Sequence, residues 1–367
     1  MAELANFLSP PTRDLKLDYL KVIGLFCILL AHTEPGDFID QIRNFDVPLM
    51  VMVSGVLFGY SVRNKPYDFK EYFQQRFWRL ISPVWCFFIF FFSLVYLTSQ
   101  IGNREFPYSW NEILETFTLL DGIGYVWVIR VFLIIALLSP ALLKLNAWVF
   151  QRRRNVAIAI AVFLLYEMIA TVCEVFDESD IYATLTVVPG TLFYLVYDLL
   201  LREFGFYAIA YSFVFLIGIR LPQLSQKHAI VSASCFGAIA FFLGIYYWID
   251  EGKFIRTQDY KYPPQLYYLS YALFISILLY LLFDFLQKTK KLSNRNVNQF
   301  VVFVSSSSLW IYLWHILFLE YSNDNFLKLS LLSIAITYLQ KQAIAQIIQR
   351  TPWGDKNANL LKVLFLK

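Results

Sequence analysis

Charge is scarce in this sequence. Charged residues make up 16% of the 367 residues, whereas a soluble globular protein carries roughly 25%. Hydrophobic residues make up 58% and aromatic residues 19%, and the mean hydropathy is +0.54. A soluble chain of this length would form two or three domains, each needing a charged surface. The composition excludes that organisation and indicates that lipid is the solvent.

The sequence also lacks the motifs of disulfide-linked, nucleotide-binding and nucleic-acid-binding proteins. The four cysteines (Cys27, Cys86, Cys173 and Cys235) have no paired spacing, which excludes a disulfide framework and argues against a metal site. There is no glycine-rich phosphate loop and no serine nucleophile elbow. No basic stretch has the pattern of a nucleic-acid site. The N-terminal residues have no hydrophobic signal region, so we expect no cleavable signal peptide.

Long apolar runs are abundant. A membrane-spanning helix needs about 20 apolar residues, because each residue adds about 1.5 Å against a hydrocarbon core of about 30 Å. Ten runs meet this need, namely Leu17–Thr33, Phe45–Val62, Leu80–Leu97, Gly124–Phe150, Val156–Val175, Gly205–Leu221, Ala229–Ile249, Gln265–Leu286, Phe300–Glu320 and Phe326–Ile348. The sequence therefore predicts an all-α integral membrane protein, a bundle of about ten transmembrane helices in one domain over residues 1–367.

The distribution of cations between the runs predicts the orientation. Lys and Arg concentrate at 63–79, 152–154, 287–298 and after 349, which the positive-inside rule assigns to the cytoplasm. Both termini are then cytoplasmic, with an N-terminal segment at 1–15 and a tail at 350–367. The apolar stretch Tyr182–Arg202 would reverse every later loop if it crossed. We therefore expect it to form an extra interfacial or re-entrant helix.

The first predicted helix aligns three ionisable residues on one face. Lys21 and His32 are eleven residues apart, about three turns or 16 Å, and Asp18 lies one turn before Lys21. A histidine at a helix end is more often an interfacial residue than a catalyst, but charges inside a bilayer are usually functional. The alignment favours a functional site in which Asp18 orients Lys21 through an ion pair.

Three arginines mark two further positions. Arg76 and Arg79 lie three residues apart at the cytoplasmic mouth of the third run. Positive-inside topology explains them, and a clamp for a phosphorylated donor explains them equally well. Arg130 lies about two turns inside the outer interface and should face a polar interior. The structural alternative to a functional role is a pair with Glu167 or Asp198.

The outer side also carries a histidine and a group of aromatic residues. His315 lies toward the outer end of the ninth run, where a structural hydrogen-bonding role is the first expectation. The run Lys261–Tyr271 places several rings at the outer mouth. Sugar rings stack on such side chains, although an interfacial aromatic belt has the same composition.

Five segments, taken in order, resemble the acyltransferase-3 family of membrane O-acyltransferases. They are Leu17-Asp18-Tyr19-Leu20-Lys21 followed by His32, Val47–Ser61 with its Ser54-Gly55 pair, the R-x-x-R element of Arg76 and Arg79, Tyr125–Pro140, and Ile311–Phe318 with its Tyr-Leu-x-His pattern. Lys21 departs from the family, which has arginine there. Lysine keeps the charge but loses the planar fork.

The resemblance implies transfer of an acyl group, commonly acetyl from acetyl-CoA, to a carbohydrate hydroxyl at the outer face of a bacterial inner membrane. Acyl-CoA is a co-substrate in that chemistry, and the resemblance implies neither a bound cofactor nor a metal. The chain looks like the stand-alone type, and its oligomeric state is open. The implied role of His32 is general base or transient acyl carrier, in a catalytic set with Lys21 and Asp18. Arg76, Arg79 and Lys21 are expected to bind the CoA phosphates. Arg130, Trp127 and His315 are expected to contact the acceptor or the oxyanion.

Two other functions remain open from the residues. A transporter or flippase of a lipid-linked glycan also needs buried charge and aromatic platforms. The sequence lacks the paired, Gly/Pro-interrupted helices typical of many transporters. A glycan polymerase should carry a longer outer loop. Binding of CoA separates the acyltransferase from both alternatives.

Overall fold

The computed structural model describes residues 13–62, 69–120, 122–177, 194–322 and 325–366. Within these ranges the chain is helical and contains no strand. The main helices are α1 Leu15–Ala31, α2 Asp37–Arg43, α3 Asp46–Val62, α4 Phe69–Ile101, α5 Trp110–Thr118, α6 Val126–Val149, α7 Arg153–Asp177, α8 Tyr207–Arg220, α9 Gln226–Glu251, α10 Leu266–Lys288, α11 Arg295–Ser306, α12 Ser308–Ser322 and α13 Phe326–Arg350. Nine of the ten predicted runs each coincide with one helix, the run Phe300–Glu320 covers parts of both α11 and α12, and the all-α membrane fold is confirmed.

The number of crossings is close to the predicted number. In the described ranges, eight helices are long and apolar enough to cross a membrane, or nine if α11 and α12 form one span bent by 74°. Helix α1 has 17 residues and is about 25 Å long, slightly less than the hydrocarbon core. With α1, the predicted number of ten crossings is reached. Helix α1 is not among the nine because it is too short to pass a test based on length.

Helix α1 lies at the centre of the bundle. It contacts α3, α10, α11, α12 and α13, so its polar residues face protein rather than lipid. Beside it, α3 and α8 cross closely at two glycines. A methyl group on Gly55 would overlap with the carbonyl oxygen of Phe215, and one on Gly218 with that of Met52. Small residues permit such close approach between membrane helices.

Two predicted peripheral segments take unexpected forms. Residues 182–193 of the predicted interfacial helix lie outside the described residues, and the remainder belongs to a π-helical stretch, Tyr194–Phe206, that continues into α8. The residues after α13 fold back on the bundle as short helical turns. The indole Nε1 of Trp310 donates to the carbonyl of Leu364 at 3.0 Å, and its ring stacks on Phe365.

Candidate active site

Two histidines from opposite ends of the chain meet at one end of α1. Nδ1 of His32 and Nε2 of His315 are 2.8 Å apart, and the two ring planes are within 10° of parallel, with centroids 4.9 Å apart. His315 is fully buried, whereas His32 is partly accessible. The two residues are 283 positions apart in the sequence, and the structure joins them in one histidine pair.

The local structure around the pair explains why it forms. Helix α1 ends at Ala31, so His32 is the C-cap residue, where the helical hydrogen bonds give way to a turn. His315 lies in the second turn of α12, just beyond the bend at Ser307. The edge of the Tyr125 ring faces His32 at 4.8 Å between centroids. The carbonyl of Tyr125 accepts a 2.5 Å hydrogen bond from the Tyr312 hydroxyl.

Asp18 stabilises the bend that positions His315. The guanidinium of Arg13 donates to both Asp18 oxygens at 2.6 and 2.8 Å, and the Ser305 hydroxyl donates to Asp18 at 2.6 Å. Asp18 and Lys21 do not form the expected direct ion pair, because Arg13 and Ser305 occupy the carboxylate, and the charge of Asp18 acts on Lys21 from a longer distance. Asp18 ties α1 to the end of α11, one helical turn before α12 begins.

A buried charge cluster that the sequence analysis missed lies near the histidine pair. Asp46, at the start of α3, accepts from Arg43 at 2.7 Å, lies 3.5 Å from the ammonium of Lys261, and accepts from the amide of Val47 at 2.7 Å. All three charged side chains are nearly inaccessible. We call Arg43, Asp46 and Lys261 the outer charge cluster. Arg43 also donates to Asp40 at 2.9 Å, so two carboxylates balance the two cations, and Asp46 is the one that contacts both.

Lys261 is the member of this cluster that is surrounded by aromatic rings. It follows a short helical turn in the loop before α10, and its ammonium lies 5.5 Å from the ring centroid of Trp127 and 5.7 Å from those of Tyr262 and Tyr268. Burial lowers the pKa of Lys261, and the charge of Asp46 opposes that shift. Both Lys261 and Arg43 act electrostatically on His32.

An open cavity of about 350 Å³ lies beside the cluster. Trp127, Arg130, Tyr207 and Tyr262 line it. His32 does not, but the cavity is lined by Gly124 and Val126, the residues on either side of Tyr125. We call it the outer cavity. Its mixture of aromatic rings and polar groups is typical of a site for a polar, ring-containing molecule.

Arg130 lines the outer cavity with a different partner from those predicted. Its guanidinium pairs with Glu203 and donates to the carbonyls of Leu119 and Leu120. Glu167 instead accepts from the Leu266 amide at 2.9 Å, and Asp198 pairs with Arg202 at 3.4 Å. The predicted partners were wrong because the π-helical stretch brings Glu203 to α6. Arg130 anchors the segment between α5 and α6.

In the second turn of α1, toward its other end, Lys21 lies within electrostatic range of Asp18, Arg76 and Arg79. Both arginines are exposed on the first turns of α4, and Arg76 lies 5.3 Å from the ring of Tyr72. Among the described residues, none of the three cations forms an ion pair. We call them the inner cation cluster. The three cations outnumber the one carboxylate, Asp18, that acts on Lys21, so the cluster attracts an anion, and these are the three residues expected to bind phosphate.

No set of three or more His, Cys, Asp or Glu side chains in the described ranges could hold a metal ion. Comparison with known protein families gives a match between residues 14–340 and the family model for the acyltransferase-3 domain, described as an acyltransferase domain. The chain belongs to the acyltransferase-3 family. No curated protein and no solved structure matches it. Membership covers nearly the whole helical bundle, and it identifies the protein as a membrane acyltransferase.

Proposed function

We propose that the protein transfers an acyl group, with acetyl as the expected one, from cytoplasmic acyl-CoA to a hydroxyl of a cell-surface glycan or its lipid-linked precursor. The arrangement on α1 supports this proposal. Unpaired cations lie at one end of the helix, and a partly accessible histidine lies about 16 Å away at the other. We place the protein in a bacterial inner membrane with both termini cytoplasmic, so that the inner cation cluster faces the CoA pool.

His32 is the general base in the proposed reaction. Its imidazole takes the proton from the acceptor hydroxyl as that oxygen attacks the thioester carbonyl. The tetrahedral intermediate then collapses, the carbon–sulfur bond breaks, and the leaving CoA thiolate takes the proton back from the imidazolium. The products are the acyl ester and free CoA. No proton is gained or lost overall, so the chemistry requires one base and a stabiliser for the oxyanion.

Lys261 is a better candidate for oxyanion stabilisation than Arg130. The guanidinium of Arg130 is occupied by Glu203 and two carbonyls, whereas Lys261 shares its single carboxylate with Arg43. Lys261 also acts electrostatically on His32. A buried cation interacts strongly with a developing negative charge because water does not screen it. The acceptor sugar then occupies the outer cavity against Trp127.

Donor binding tests the proposal most directly. Acetyl-CoA should raise the thermal unfolding midpoint of the detergent-purified protein, since a ligand that binds only the folded state stabilises it. Changing both Arg76→Gln and Arg79→Gln should raise the Kd for acetyl-CoA roughly 100-fold, because each charge-assisted hydrogen bond contributes about 1.5 kcal/mol or more. Titration of the unfolding midpoint with acetyl-CoA measures both effects.

The matched control changes Arg152→Gln and Arg153→Gln. These arginines are exposed at the turn between α6 and α7, so the variant loses the same charge away from the inner cation cluster. Its Kd for acetyl-CoA should equal that of the wild type. If no CoA species shifts the wild-type midpoint at concentrations approaching millimolar, the proposed donor is wrong and glycan transport becomes the better explanation.

Lys261→Met should lower kcat by about 100-fold while leaving the Kd for acetyl-CoA unchanged. Removal of one oxyanion donor typically costs that much, and the side chain lies far from the inner cation cluster. Arg43 still pairs with Asp46 in the variant. Steady-state kinetics with acetyl-CoA and the glycan fraction provide the measurement. A wild-type kcat in Lys261→Met would remove Lys261 from the mechanism.

A further inference from the structure

The surroundings of His315 determine which of its ring nitrogens carries the proton. Nδ1 of His315 faces the carbonyl oxygen of Tyr312 within hydrogen-bonding distance. A carbonyl oxygen only accepts, so Nδ1 must be protonated. In a neutral imidazole the other nitrogen is then an acceptor. His315 therefore presents an unprotonated Nε2 toward His32.

The same logic extends to His32. Its Nδ1 lies 2.8 Å from Nε2 of His315, so this Nδ1 must donate and must carry the proton. Nε2 of His32 is left with a free lone pair. We propose that His315 is a positioning residue that holds His32 in the Nδ1-protonated tautomer and thereby frees Nε2 to act as the base. The catalytic meaning of this assignment rests on the proposed function, whereas the tautomer itself does not.

The constraint matters because an unrestrained histidine side chain favours the proton on Nε2. In that tautomer the lone pair lies on Nδ1, next to the backbone of His32 and facing His315 rather than a substrate. The hydrogen bond made by one ring nitrogen decides which nitrogen is available for chemistry. In serine proteases an aspartate fixes the tautomer of the catalytic histidine in a comparable way, and its loss has a large effect on the rate.

The protein holds the pair rigidly in this arrangement. His315 is fully buried, and the ring of Tyr125 packs edge-on against both imidazoles, with centroids 4.8 Å from His32 and 5.9 Å from His315. The hydroxyl of Tyr312 fixes the Tyr125 backbone, while its carbonyl faces Nδ1 of His315. Both imidazoles are neutral in this assignment, which suits a pair close to the positive charges of Arg43 and Lys261.

Nitrogen NMR can read the tautomers directly, because the chain contains three histidines. Protein labelled with ¹⁵N-histidine should give three imidazoles, assigned with His228→Gln and His315→Gln. We expect His32 and His315 both to show a protonated Nδ1 and an unprotonated Nε2. His315→Phe keeps a buried ring but removes the acceptor, so His32 should revert to the Nε2-protonated form. His315→Gln retains an acceptor oxygen and should preserve the Nδ1-protonated form.

Kinetics provide the second measurement. His315→Phe should lower kcat by about 100-fold, the lower end of a general-base contribution, with an unchanged Kd for acetyl-CoA. His315→Gln should recover most of the activity. An Nε2-protonated His32 in the wild type, or a His315→Phe variant with the wild-type tautomer and kcat, would overturn the inference. If the wild type transfers no acyl group, the proposed function fails while the NMR result still decides the tautomer.

Discussion

His32→Gln should abolish acyl transfer and leave donor binding intact. The proposed reaction needs one base, and His32 is the partly accessible member of the histidine pair. Glutamine has a similar length, and its amide can still donate to Nε2 of His315, so the variant removes the basic nitrogen with little change in packing. We expect kcat to fall by at least about 1,000-fold, within the range of general-base effects. Transfer of radiolabelled acetyl from acetyl-CoA to the glycan fraction measures it.

His228→Gln is the matched control. His228 is exposed in the first turn of α9 and interacts with Ser225, so it has no part in the proposed reaction. The control should retain wild-type transfer, and both variants should bind acetyl-CoA with the wild-type Kd. A His32→Gln protein that keeps a tenth of wild-type transfer would show that another group takes the proton.

The second large effect concerns the outer charge cluster. Asp46→Asn should destabilise the protein by about 3–5 kcal/mol, because Lys261 loses its carboxylate partner while Arg43 keeps only Asp40, which leaves a buried ammonium without compensation. Asp46 is 1% exposed, and Arg43 and Lys261 are 5% and 3% exposed, so neither cation can turn to water. Asparagine preserves the size of the side chain and loses only its charge. Thermal unfolding in detergent should show a midpoint well below that of the wild type.

The matched control for Asp46→Asn is the same substitution at an aspartate on the surface. Asp259 pairs with Arg256 at 3.4 Å and is half exposed. Asp259→Asn removes the same charge from an exposed ion pair, which contributes little, so its midpoint should stay close to the wild type. Adding Lys261→Met to Asp46→Asn should recover part of the lost stability, since one unpaired cation is removed. An Asp46→Asn midpoint equal to that of Asp259→Asn would contradict a charge-balancing role for Asp46.

The buried partners were the least predictable part of the site. Arg130 was recognised from its depth in an apolar run, but its partner Glu203 lies 73 positions later in a π-helical stretch. Asp18 was recognised from its alignment with Lys21, yet Arg13 and Ser305 take its oxygens. Asp46 was missed, because an acidic residue at the first turn of a helix is ordinary when seen alone. Its importance depends on Lys261, a residue from a distant loop.

The sequence by itself determined the helices, the membrane environment and the positions of the ionisable residues along α1. These features are local, because a chain in lipid must satisfy its backbone hydrogen bonds within each helix and keep each membrane-spanning run apolar. Ionisable residues inside such runs, such as Lys21, His32 and Arg130, are therefore visible in the sequence. Only the tertiary structure decided which of these residues meet. His32 and His315 are separated by 283 positions, and their contact depends on the bend between α11 and α12. Pairing of buried polar groups follows from how helices pack, and helical periodicity contains no information about that packing.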